Sequence, residues 1–211
     1  MTSFDAIVFV VDDDPLIRDA LEQLIKSVGL KAYTFSSARE FLEEDLPDTP
    51  CCLISDIRMP GLSGLDLQDE LAKKDLKIPV IFITGHGTVP TSVRAMKAGA
   101  VDFLPKPFED QELLDALHSA LEQNRQTRKE QAEIKEIKRR VESLTPREHE
   151  VLVLVTAGML NKQIAYDLKL SENTVKTHRA HIMQKMKAES LADLVRLTEK
   201  IDICRHKDDS R

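Results

Sequence analysis

The sequence predicts an α/β domain with a parallel sheet over residues 1–124 and a compact all-α module over 144–211. Three observations predict it. Short apolar runs alternate five times with longer amphipathic stretches; no Gly or Pro falls between Glu109 and Thr145; and helix-cap signatures then recur at close spacing. Five β-then-α units with near-continuous apolar strands imply a parallel sheet covered on both faces. The preference for right-handed crossovers leaves a flavodoxin-like, doubly wound (βα)5 arrangement.

The elements follow in order. AIVFVV (6–11) is a buried strand, and a helix begins at Pro15 with Asp14 as N-cap and Gly29 as stop. KAYTF (31–35) is the second strand, and Ser37-Ala-Arg-Glu40 has the form of a capping box. CCLIS (51–55) leads through MPGLSG to a helix over 64–73, and PVIFIT (79–84) leads through GHG to one over 89–98. VDFLP (101–105) precedes a helix starting near Glu109. Leu113, Leu114, Leu117 and Leu121, then Ile134, Ile137, Val141 and Leu144, keep helical spacing around a polar stretch. One long helix or two in register therefore bridges the domains, with 125–143 as helical linker; a two-chain coiled-coil seam is the lesser alternative. Thr145-Pro146-Arg-Glu148 is another capping box with Pro at the first helical position. Four short helices follow, from Pro146 to Ala157, over 161–168, after the N-cap Ser171, and over 190–201.

Composition narrows the function classes. No apolar run approaches the ~20 residues of a membrane span, and no basic flank precedes the first apolar run, so neither span nor signal peptide is expected. Cys51, Cys52 and Cys204 have no metal-ligand spacing and are odd in number, which fits a reduced, cytoplasmic protein. The net charge of −6 conceals an asymmetry. Residues 1–125 hold 12 Lys and Arg against 22 Asp and Glu; the remainder holds 18 against 14. A polyanionic partner therefore belongs to the second half.

In a doubly wound sheet the site lies at the carboxyl ends of the strands. The first strand ends in Asp12-Asp13-Asp14, the third in Asp56, the fourth in Thr84 and the fifth in Lys106. Carboxylates gathered in one crevice need a compensating cation. Mg²⁺ suits them, being hard, oxygen-ligated and open to phosphate oxygens. Lys106 would neutralise an incoming phosphoryl group and the Thr84 hydroxyl would donate to it. Asp56 is then the candidate nucleophile, forming an acyl phosphate. Asp14 is read mainly as a helix cap.

In the all-α module, Ile164, Leu168, Leu170, Val175, Ile182 and Met186 form the apolar side of the second and third helices. Asn173, Lys176, Thr177 and Ala180 face the other way, suited to phosphate, base-edge and methyl contacts. Arg179 and His178 sit at the edge of that face, nearer to backbone contact; for His178 a packing role is equally open.

VVDDD (10–14), SDIRMPGLSG (55–64), FITGHG (82–87), AMKAGAVDFLPKPF (95–108) and LTPREHEVL…NKQIA…LSENTVKTHRAHIMQKM (144–186) together resemble the two-component response regulators. The likeness is to the NarL/FixJ branch, with a receiver domain and a LuxR-type helix-turn-helix, closest in motifs to FixJ-like regulators. It implies phosphoryl transfer from a sensor histidine kinase to Asp56. It also implies Mg²⁺ held by Asp13, Asp56 and the Arg58 carbonyl with Asp12 assisting, and a cis Lys106-Pro107 bond. Phe103 would act as a switch aromatic with Thr84, and Arg58 and His86 would tune the lifetime of the acyl phosphate. Val93, Lys97 and Val101 resemble a phosphorylation-dependent homodimer face, and the last helix (Ser190, Leu191, Leu194, Val195, Leu197, Thr198) resembles a second dimer element. The implied partners are the kinase, double-stranded promoter DNA, RNA polymerase and a second copy of the chain, with no membrane.

Two rivals remain at this point. A phosphatase using Asp56 would not explain the C-terminal module. A receiver that no longer takes phosphate would not need Asp12, Asp13, Asp56, Thr84 and Lys106 together.

Overall fold

The computed structural model describes residues 6–85 and 89–201, so His86 and Cys204 lie outside the described residues. The chain divides into two compact units, Met1–Arg128 and Lys129–Arg211.

The first unit alternates β1 (Ile7–Val11), α1 (Pro15–Ser27), β2 (Lys31–Phe35), α2 (Ala38–Leu42), β3 (Cys51–Asp56), α3 (Gly64–Lys73), β4 (Val80–Thr84), α4 (Val89–Lys97), β5 (Asp102–Pro105) and the start of α5 (Asp110–Glu142). The strands form one parallel sheet in the order β2-β1-β3-β4-β5. Alternate residues feed two cores, as the two-residue period of a strand requires. Phe9, Val11, Leu53 and Phe82 pack towards Phe41 of α2, Leu67 and Leu71 of α3 and Ala95 of α4. Val8, Val10, Ile54, Ile81 and Ile83 pack towards Leu21 and Ile25 of α1 and Leu113, Leu117 and Leu121 of α5. Both faces are covered, which is why the strands carry so little polar alternation.

Two local expectations are refined. Ser37 caps α2 by accepting from the Glu40 N–H, but the Glu40 carboxylate returns to the Ser36 N–H and hydroxyl instead of the N-cap amide. The fourth strand begins at Val80, because Pro79 has no N–H for the ladder; its carbonyl still accepts from Leu53 at 2.9 Å.

Helix α5 is a single helix of 33 residues. Its first turns belong to the first core, while Ile137 and Val141 belong to the core of the second unit. Asn124, 2 % exposed, is a polar residue on the buried side of α5. Its side-chain oxygen accepts from the Cys51 N–H at 3.0 Å and its amide donates to the Lys77 carbonyl at 3.1 Å. It thus ties α5 to the first residue of β3 and to the loop before β4. Arg128, four residues on, pairs with Asp48.

The second unit holds the end of α5 with α6 (Pro146–Thr156), α7 (Asn161–Leu168), α8 (Glu172–Met186) and α9 (Leu191–Glu199). Thr145 and Glu148 close the expected capping box. Val151, Leu152, Ile164, Val175, Ile182, Met186 and Leu194 make the core. Leu194, Leu197 and Thr198 are buried within this unit, so of the apolar stripe on α9 only Leu191 is exposed and Val195 half-buried.

Asn124→Ala should destabilise the first unit by about 1–3 kcal/mol, since it strands a buried N–H and a carbonyl at once. Urea denaturation of the full chain followed by circular dichroism should show an earlier transition; an unchanged midpoint would mean that water replaces both bonds.

Candidate functional site

The strand register sets the site. Val11 pairs with Ser55, Asp56 with Ile83 and Thr84 with Pro105, so the residues at the strand ends fall in one row along the carboxyl edge. Asp12 and Thr84 are each 1 % exposed and Asp56 9 %, while Asp13 is exposed at the mouth. Carboxylate oxygens of Asp12, Asp13 and Asp56 lie within 4.8 Å of one another. Lys106 reaches in from the end of β5, with its Nζ 2.7 Å from Asp12 Oδ2 and 4.0 Å from Asp56 Oδ2. The Lys106 N–H donates to the Thr84 carbonyl at 2.8 Å, and the Lys106–Pro107 peptide is cis.

Asp56 is held by its own turn. Its Oδ1 accepts from the Ile57 N–H at 2.8 Å, which leaves Oδ2 on the side of Lys106. Burial pushes its carboxyl above the ordinary value; Lys106 draws it down, Asp12 pushes it up, and the Ile57 and Arg58 N–H groups draw it down. The three clustered carboxylates, with one ammonium among them, form an oxygen-donor set that a hard divalent cation fits. Phe103 is half-buried against the core on the α3–α4 face, and Arg58 is exposed beside the pocket.

Three neighbours of this pocket are absent from the set that the strand ends predict. A Cβ on Gly64 would lie 2.3 Å from the Asp56 carbonyl and 2.9 Å from Ser55 Oγ, so only Gly lets α3 start this close to the strand end. Ser55, fully buried, donates from Oγ to the Asp56 carbonyl at 2.9 Å. Arg18, one turn into α1, donates from one guanidinium nitrogen to the carbonyls of Asp12 and Asp13. The SG pair before a helix is a signal for Gly64; nothing in the spacing of Arg18 predicts its carbonyl partners.

In the second unit, α7 and α8 are joined by Lys169, Leu170 and Ser171, with Lys169 left-handed at φ 53°. Ser171 caps α8 by accepting from the Thr174 N–H at 3.0 Å. Asn173, Lys176, Thr177 and Ala180 are exposed on one face of α8, and Gln184 extends that face. Arg179 is half-buried and donates to Asn161 Oδ1 at 2.9 Å, which binds α8 to the start of α7. His178 is half-buried too.

Behind that face lies a buried charge. Glu148, 4 % exposed, accepts from the Thr145 N–H at 2.8 Å and from Lys185 Nζ at 2.7 Å, with His181 Nδ1 at 3.6 Å. The Lys185 hydrogen bond foremost, followed by those from Thr145, holds its carboxyl down at about 2. The cap of α6 is thereby also a clamp on α8.

Comparison with known proteins accounts for both halves. Residues 8–118 match the response regulator receiver domain, and residues 142–198 match the bacterial regulatory proteins of the luxR family. The chain belongs to the two-component response regulators. It is 54 % identical over 201 residues to nodulation protein W of Bradyrhizobium diazoefficiens, covering 95 % of this chain and 88 % of that protein. It is 44 % identical to the transcriptional regulatory protein FixJ of the same organism, covering 90 % of this chain and 93 % of FixJ. Among solved structures, that of the response regulator StyR matches with a TM-score of 0.83 at 48 % identity, covering 93 % of this chain and 99 % of that one. The regulator is thus of the NarL/FixJ type, with a receiver and a LuxR-type helix-turn-helix serving two-component control of transcription. No helix among the described residues is long and apolar enough to cross a membrane.

The Glu148 clamp has a pH signature. Its folded carboxyl titrates near 2 against an ordinary 4.5, so its contribution is complete above about 4.5 and fades as the pH falls towards 2. Glu148→Gln should cost about 1–2 kcal/mol at pH 7, since the Lys185 ammonium left behind can be solvated, and the gap from wild type should narrow between pH 5 and pH 3. Thermal melts of the full chain by circular dichroism would check it, and a pH-independent gap would assign the loss to packing.

Proposed function

We propose that the regulator takes a phosphoryl group from a sensor histidine kinase onto Asp56 Oδ2, and that this promotes dimerisation and sequence-specific binding to promoter DNA. The observation that carries the reading is the convergence of Asp12, Asp13 and Asp56 carboxylates within 4.8 Å, with Lys106 Nζ 4.0 Å from Asp56. In the reaction a new oxygen–phosphorus bond forms at Asp56, the bond from phosphorus to the kinase imidazole nitrogen breaks, and its electron pair stays on that nitrogen. Asp12, Asp13, Asp56 and the Arg58 carbonyl would hold Mg²⁺, which when bound neutralises charge on the phosphoryl oxygens. The Ile57 N–H keeps Asp56 oriented, Lys106 attracts the anionic group, and the Thr84 hydroxyl donates to it.

Once Asp56 carries the phosphoryl group, Thr84 moves towards it and Phe103 turns into the space released. Arg58 and His86 set how long the acyl phosphate survives. A groove of about 830 Å³ between α1 and the β5–α5 loop, lined by Ile17, Leu21, Leu24 and Phe108, opens beside Lys106 and offers the kinase an apolar seat. The exposed Val93 and Lys97 of α4 and half-buried Val101 supply the receiver's dimer face, with the exposed end of α9 as a second contact. Phosphorylation acts as a population shift towards dimers, which suit paired half-sites. On DNA, Asn173, Lys176, Thr177 and Ala180 face the major groove, Arg179 contacts the backbone, and RNA polymerase is a further partner. We assign the regulator to the cytoplasm, and no turnover of an external substrate to it.

Acetyl phosphate and Mg²⁺ should add one phosphoryl mass to the wild type, shift it to a dimer and raise DNA retention, while Asp56→Ala should show none of these. An unmodified wild type, or an equal adduct on the variant, would remove the reading. Lys176→Ala should cost about 1–3 kcal/mol of DNA affinity without altering phosphorylation, read by titration against a bound promoter fragment; unchanged affinity would move the groove contact elsewhere.

A further inference from the structure

Arg18 sits among acidic neighbours yet does not pair with a carboxylate. Asp12, Asp13, Asp14 and Asp19 all lie within six residues of it in sequence, and among the described residues it makes no ion pair. Its Nη1 instead donates to the carbonyl of Asp12 at 2.7 Å and to that of Asp13 at 3.1 Å. The backbone N–H of Arg18 donates to the Asp14 carbonyl at 3.1 Å and opens the helical ladder of α1. One residue therefore fixes three successive carbonyls, from the end of β1 into the first turn of α1. The Asp14 N–H donates to Asp12 Oδ1 at 2.9 Å, so the same loop also orients the Asp12 carboxylate.

Holding a peptide carbonyl fixes the plane of that peptide, and with it the direction of the side chains on either side. A loop of three consecutive aspartates would otherwise relax to separate its charges, moving the Asp13 carboxylate away from those of Asp12 and Asp56. A guanidinium supplies the planar, always-charged donor that two carbonyls in different orientations need.

We propose that Arg18 is a positioning residue of the Mg²⁺ site, fixing the Asp12–Asp13 backbone so that both carboxylates face Asp56. This rests on the metal reading given above. Two roles for Arg18 predict opposite signs. As a nearby positive charge it would repel Mg²⁺, and its removal would tighten binding. As a clamp it presents the ligands, and its removal weakens binding on the scale of outer-shell partners, roughly 10-fold or more.

The test is isothermal titration of Mg²⁺ into full-length wild type, Arg18→Ala, Arg18→Gln and Arg18→Lys, with circular dichroism showing each variant folded before metal is added. The expected order of affinity is wild type, then Lys, then Gln and Ala, with Ala weaker by roughly 10-fold. Lys keeps the charge on a shorter, non-planar donor and should recover part of the loss. With acetyl phosphate, the Mg²⁺ concentration for half-maximal phosphorylation should rise in step, while the rate at saturating Mg²⁺ stays within roughly twofold, as expected for a residue acting through ligand presentation. Equal or tighter binding by Ala and Gln overturns the proposal while leaving the metal site intact. Absence of Mg²⁺ binding by wild type overturns the metal reading itself and the proposal with it. If Ala fails to fold, Gln and Lys carry the same comparison.

Discussion

Asp12 and Asp56 are buried side by side at the ends of adjacent strands and share one ammonium, that of Lys106, 2.7 Å from the first and 4.0 Å from the second. Burying like charges this closely is unfavourable, and the neighbouring structure offsets it without removing it. The parallel register aligns the strand ends, Gly64 lets α3 approach the Asp56 carbonyl, and the turn at Ile57 gives Asp56 an amide donor. The raised carboxyl of Asp56 records what is left uncompensated. A pocket in this condition favours a ligand that brings positive charge.

The second unit uses charge in the opposite way. Glu148 is buried much as Asp12 is, but its hydrogen-bond partners are donors: the Thr145 amide and the Lys185 ammonium. Its carboxyl is accordingly pulled far down, whereas that of Asp56 is pushed up. One buried carboxylate is a fixed structural fastening and the other is held in an environment that disfavours its charge. For Asp56 burial outweighs its donors, with Asp12 adding to it, whereas for Glu148 the Lys185 hydrogen bond outweighs burial.

Much of this is legible in the sequence because it depends on period and position. The five strands, the caps at Asp14, Thr145 and Ser171, and the set Asp12, Asp56, Thr84 and Lys106 follow from apolar runs and from which residues stand at their ends. What escapes is contact between residues whose partners are backbone atoms. Nothing in the sequence around Arg18 announces its carbonyl partners, and Asn124 stands at the start of a stretch that is polar all round. The Glu40 carboxylate meets the serine amide one residue before the one its capping box predicts. The apolar stripe of α9 is legible as a pattern, but the share of it consumed by its own core is not, since pattern fixes a face and not what covers it. His86 lies outside the described residues.

The tie from Asn124 to Cys51 and Lys77 bears on where the first unit can be cut. The receiver match ends at residue 118, yet Ala120 and Leu121 are in the core and Asn124 satisfies the first amide of the central strand. A fragment trimmed at 118 would open an apolar face and leave a strand end short of its partner. Independent folding of the receiver half therefore requires about two further turns of a helix that, by homology alone, would be discarded as connector.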